Sequence, residues 1–149
     1  MVHALEGIRQ LLRSNGVLID IHPVREQAVV EVRSAAGVVF AETAPGYDYD
    51  EDLRRAEDAL AWAVEHELFL EEKSCDFEVA TRAPSVIELR GFMDEAGAFD
   101  DGPRDEGTVA LREAFYGRVE DVMQSTGRGA AVSYRERARM TRLPRAPRP

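Results

Sequence analysis

The chain has 149 residues, 44% of them hydrophobic and 32% charged, with a formal net charge of -9. That length suits one domain and buries roughly 70% of the surface an unfolded chain would expose, and the composition excludes a disordered or fibrous chain. The single cysteine, Cys75, excludes an internal disulfide, and no apolar run approaches the roughly 18 residues of a membrane span, so a cytoplasmic protein with no membrane partner is expected.

The charge is unevenly spread. From Arg128 onward seven arginines stand against one acid, Glu136, so this end carries +6 and residues 1–127 carry -15. An acidic body repels phosphates over most of its surface, which makes nucleic acid an unlikely partner everywhere but at that end. Arginine outnumbers lysine 18 to 1, a bias that fits a GC-rich, bacterial-type genome better than a choice of chemistry.

Taken in order, Leu5, Ile8, Leu11 and Leu12 recur at helical spacing, and Asn15-Gly16 is expected to close that helix with left-handed residues. The pattern then changes to the solid run Val17-Leu18-Ile19, a strand expected to be covered on both faces, which ends in Asp20-Ile21-His22-Pro23. Two alternating runs, 28–33 and 38–42, flank Ser34-Ala35-Ala36-Gly37 and predict a β-hairpin. After a loop over 43–47, the carboxylates Asp48, Asp50, Glu51 and Asp52 open a long helix whose buried stripe is Leu53, Ala56, Leu60, Ala63 and Val64.

Leu68, Phe69 and Leu70 lead into a strand in which Cys75, Phe77 and Val79 face the core and alternate with Asp76, Glu78 and Ala80. Ser85 followed by Glu88 is a capping-box pattern and starts a helix bearing Val86, Leu89, Phe92 and Met93. A loop over 97–104 precedes a helix from about Glu106 to Ser125, with Leu111, Phe115, Val119 and Val122 on one side, ended by Gly127-Arg128-Gly129. The last strand, 131–143, offers Val132, Tyr134, Ala138 and Met140 as inward positions, with a bulge expected near Glu136. Residues 144–149 are expected to be a disordered Pro/Arg tail, leaving 1–143 as a single domain.

Asp20 and His22 are two apart on a strand, so they share a face and can touch. A histidine beside a carboxylate can shuttle a proton or hold a metal, while the structural alternative is that Asp20 caps or bonds the next loop and His22 sets the turn before Pro23. Tyr47 and Tyr49 either line the same site or anchor the loop before the long helix. Cys75, on an alternating strand, reads as a core residue. The acidic cluster lacks the glycine and terminal glutamate of a calcium loop, so it caps a helix. Arg135, Arg137, Arg139 and Arg142 read as a solvated face pairing with acids on neighbouring strands.

The helix with Leu-Leu-Arg-Ser-Asn-Gly, the strand Val-Leu-Ile-Asp-Ile-His-Pro, a later helix, a Leu-Phe strand and a terminal antiparallel strand resemble the C-terminal half of class I S-adenosylmethionine-dependent methyltransferases. Arg13-Ser14-Asn15-Gly16 stands where that family has a Pro-Gly-Gly-like turn, and residues 131–143 look like its closing strand. The family's cofactor is held by a glycine-rich loop after its first strand and an acid after its second. Gly127-Arg128-Gly129 follows a helix and precedes a strand, the wrong context for such a loop, so no cofactor is expected to bind.

The expected fold is α+β, a mainly antiparallel mixed sheet with about four helices, resembling the C-terminal half of a Rossmann-like methyltransferase domain. The expected function is a non-catalytic, self-associating module, a homodimer burying the strand edge that the complete enzyme would cover. It would bind a small molecule or protein around Asp20, His22, Tyr47 and Tyr49. The alternative is one piece of a methyltransferase completed by a second polypeptide.

Overall fold

The structure is a computed structural model and describes residues 2–45, 50–96 and 106–147. Its elements run α1 (Val2–Leu11), β1 (Val17–Pro23), β2 (Val29–Ser34), β3 (Gly37–Thr43), α2 (Asp50–Glu65), β4 (Lys73–Ala83), α3 (Val86–Ala96), α4 (Glu106–Thr126) and β5 (Ala131–Pro144). The class is α+β: among the described residues, four helices accompany one five-stranded antiparallel sheet. In that sheet β5 pairs with β1, β2 and β4, and β3 pairs with β2.

The chain divides into two compact units, neither continuous in sequence. One comprises Met1–Glu26, Asp48–Glu78 and Arg137–Pro149, the other Gln27–Tyr47 and Val79–Glu136. Each has its own apolar core.

In the first unit, the 3.6-residue spacing of α1 turns Leu5 inward against Ala59 and Ala63 of α2, Phe69 and Leu143, with Ile8, Leu12 and Leu18 packed around them. Burying a phenylalanine as completely as Phe69 contributes about 1.5–3 kcal/mol. Gly16 closes the α1–β1 turn by donating its N–H to the Arg13 carbonyl at 2.8 Å. Its φ is not left-handed, unlike those of Gly37, Gly127 and Gly129. The turn needs glycine for space, because a Cβ there would lie 2.9 Å from both the Arg13 carbonyl oxygen and Leu12 Cβ.

The end of the chain belongs to this unit for longer than expected. Pro144 pairs with Val17, Arg145 bridges Phe69, and Arg145 donates its N–H to the Gly16 carbonyl at 2.9 Å. Buried Ala146 donates to the Leu68 carbonyl at 3.2 Å. The backbone of this segment has partners, which a disordered tail lacks, so a tail starting at residue 144 is corrected; residues 148 and 149 lie outside the described residues.

In the second unit, β2 and β3 form the expected hairpin, with Gly37 at φ 128° and a register shift between Val32 and Arg33. Val30, Val32, Leu89, Val119 and Val132 are fully buried, and Phe115 meets Tyr116 edge-to-face at 5.4 Å. Ser85 caps α3: its Oγ accepts the Glu88 N–H at 3.2 Å and donates to the Glu88 carboxylate at 3.2 Å. Gly127 ends α4 with φ 82° and donates to the Met123 carbonyl at 3.1 Å.

Several inward positions differ from expectation. The β1 run is covered on one face only: Ile19 and Ile21 are 49% and 59% exposed. Leu111, expected to face the core, is 65% exposed, and Phe92 is half exposed. On β5, Val132, Tyr134 and Ala138 are buried as expected, but Met140 is exposed while Thr141 and Leu143 are buried. The alternation changes phase along that strand, and the pairing passes from β2, ending at Arg135, to β1, starting at Ala138.

Glu31 is buried on β2 and bonds both Arg33 and Arg135. Burial alone would raise its carboxyl, but hydrogen bonds from Arg33 and Arg135 and their charges outweigh it and hold it below the usual glutamate range. A depressed folded-state value stabilises above the unfolded value of 4.5 and is lost as pH falls through the lower one. Acid titration of unfolding should therefore show stability falling below about pH 4.5, with Glu31→Gln flattening that limb and lowering neutral-pH stability by about 1–3 kcal/mol. Ser85→Ala should lower stability by about 1 kcal/mol in a denaturant titration, because it removes the cap of α3.

Candidate functional site

The β1–β5 ladder places His22 opposite Arg139, Asp20 opposite Thr141 and Leu18 opposite Leu143. Directly opposed residues of an antiparallel pair share a face, so this face of the first unit carries an imidazole, a carboxylate, a guanidinium and a hydroxyl in two facing rows. Ser74 and Asp76 of β4 and Leu60, Ala61 and Val64 of α2 complete a cleft of about 650 Å³, a size suited to a small ligand.

His22 Nδ1 lies 2.5 Å from Asp20 Oδ2. An ionised carboxylate only accepts, so Nδ1 carries the proton, and in the neutral ring Nε2 is then a lone pair. The His22 side chain is only 11% exposed, and Nε2 is buried with no hydrogen-bond partner among the described residues. Leaving such a group unsatisfied costs about 1–3 kcal/mol.

The rest of the wall is paired. Arg139 donates from Nε and Nη2 to the two oxygens of Asp76 at 2.8 and 3.1 Å. Arg137 donates to Asp76 at 3.3 Å and to Glu26 at 2.7 Å. Arg25 meets Glu57 at 3.3 Å. Ser74 Oγ donates to Glu71 at 3.3 Å, so in its 2.8 Å contact with Thr141 it accepts the threonine proton. The Arg139 hydrogen bonds hold the Asp76 carboxyl below its usual range; desolvation opposes them, and the charges of Arg139, Arg137 and His22 assist.

The structure joins Asp20 to His22, as their spacing implies, and pairs all four arginines: Arg135 with Glu31, Arg137 and Arg139 with Asp76, Arg142 with Glu72. Tyr47 and Tyr49, the other two expected ligand residues, lie outside the described residues. Cys75 is a free, exposed thiol, not a core residue, because Ser74 and Asp76 on either side of it are the β4 residues that face the sheet's polar rows. His66 stacks on Trp62 with ring centroids 4.1 Å apart and is not a cleft residue.

Sequence reading missed Arg25, Glu57, Glu71, Ser74 and Thr141; the only signal for Ser74 and Thr141 is period-two spacing once the register is known, and Glu57 on α2 and Arg25 and Glu71 outside the strands have none. An Asp–His pair orients an imidazole for acid–base work, yet neither Cys75 nor Ser74 is hydrogen-bonded to Nε2. Among the described residues, no three His, Cys, Asp or Glu side chains are grouped to hold a metal. What the arrangement offers is a polar, half-apolar cleft for binding. No family model, curated protein or solved structure matches this chain.

Proposed function

We propose that this chain is a non-catalytic binding module that takes a small polar molecule in the cleft beside His22 and acts in the cytoplasm. The observation that carries this reading is His22, held by Asp20, at the wall of a cleft of about 650 Å³, with Nε2 unpaired and no nucleophile bonded to it among the described residues. Because Nε2 is buried, a ligand donor reaches it only if the side chains around the ring part. A free exposed thiol at Cys75 suits a reducing compartment.

The module also self-associates, as a homodimer, through β1. Among the described residues that strand pairs with β5 alone, and its outer face shows Ile19 and Ile21 beside exposed Met140. An edge strand with exposed apolar residues is a template for a second chain. A second reading, one piece of an S-adenosylmethionine-dependent methyltransferase completed by another polypeptide, draws support from β5. That strand pairs with both β1 and β4, as a closing strand would.

Titration with the neutral probe 2-phenylethanol should perturb backbone amide resonances of β1, α2 and the cleft residues of β4 and β5. Unperturbed cleft amides at millimolar probe would refute the binding reading. Light scattering should give a dimer mass at micromolar concentration, which Ile21→Glu converts to a monomer mass; a monomeric parent chain sinks the self-association. A rise in Tm with S-adenosylmethionine or S-adenosylhomocysteine would replace the module with the methyltransferase reading, since a ligand stabilises the state that binds it.

A further inference from the structure

The geometry points to a cationic occupant: a small organic amine, with its ammonium group among Glu57, Glu71 and Asp76 and its apolar body against Leu60, Val64 and Leu143. This inference rests on the reading of the cleft as a binding site and adds the sign of the ligand's charge.

Charge in the cleft is unbalanced toward acid. Two cations line it, Arg25 and Arg139, against three acids, Glu57, Glu71 and Asp76. Both arginines are already bonded to carboxylates, Arg25 to Glu57 and Arg139 through two nitrogens to Asp76. The Arg139 guanidinium is held above its ordinary value by the Asp76 hydrogen bond first, with the Asp76 charge and then those of Glu57 and Glu71 adding to it, against desolvation. Its positive charge is thus more than matched and is not available to a ligand anion. Glu71 accepts from the Ser74 hydroxyl and, among the described residues, forms no ion pair, so its carboxylate lines the cavity without a guanidinium bonded to it.

An anionic ligand would meet three carboxylates with no uncommitted guanidinium to compensate, whereas an ammonium group finds acceptors at Glu71 and at the edges of Asp76 and Glu57. Asp20, bonded to His22 Nδ1, adds a further negative charge beside the cleft, and the whole chain, at -9, steers cations in the same direction. On the other side of the cleft the aliphatic side chains of α2 and β5 give an apolar surface on which the carbon skeleton rests.

Three probes with one skeleton test this on the full chain at pH 7: 2-phenylethylamine, 2-phenylethanol and 3-phenylpropionate. Calorimetric titration should give the amine at least tenfold tighter binding than the carboxylate, with the alcohol between them. Glu71→Gln, at an exposed position, should weaken the amine several-fold and leave the alcohol unchanged, and added salt should narrow the amine's advantage. Binding of the carboxylate as tight as the amine, or a preference untouched by Glu71→Gln, overturns the cationic assignment while leaving the cleft a binding site. Absence of binding by all three, or binding that perturbs amides away from the cleft, overturns the cleft reading itself.

Discussion

The antiparallel ladder that runs from Val17 opposite Pro144 to Pro23 opposite Ala138 is the constraint on which the first unit depends. Side chains alternate strictly along each strand, so this one register decides that Leu18, Asp20 and His22 face α2 while Ile19 and Ile21 face outward. A slip of one residue would send the isoleucines inward and expose the Asp–His pair. The apolar contact of Leu18, Leu143 and Phe69 at one end and the paired charges at the other both select the observed register.

The inner face is graded. Leu18 and Leu143 join the apolar core, Asp20 and Thr141 come next, and His22, Arg139 and Asp76 form the charged end. Most exposed ion pairs contribute little to stability, on the order of 0–1 kcal/mol each. Their value here lies in geometry: Asp76 fixes the Arg139 guanidinium through two bonds, and Asp20 fixes the plane and tautomer of the imidazole. A cleft walled by side chains already committed to one another loses little rotational freedom when it is filled.

Elements governed by local rules are legible in the sequence. The Ser85–Glu88 cap, the hairpin around Gly37, the helix-to-strand change after Leu12 and the Asp20–His22 contact all follow from spacing alone. What failed were judgements about which of two faces is covered. Leu111, Phe92 and Met140 sit at helical or alternating positions that look inward, but burial is decided by which element arrives opposite, and none of the described ones does. Cys75 and Asp76 show the same difficulty: alternation says they differ in face, not which face is which. Asn15-Gly16 suggests left-handed residues, but the role of Gly16 is to let the chain pass close to Leu12. The arginines of β5 were legible because their like-signed spacing demands acids nearby, and Glu31, Asp76 and Glu72 supply them.

The way the chain ends has a consequence for handling and for proteolysis. Arg145 grips the first helix's exit through the carbonyls of Gly16 and Leu12, and Ala146 fastens onto Leu68 just beyond α2. Residues 145 and 146 thus act as a clasp on two segments far apart in sequence. A tryptic nick after Arg142 would open that clasp and free Leu143 from its core, so resistance to cleavage there reports whether the first unit is closed.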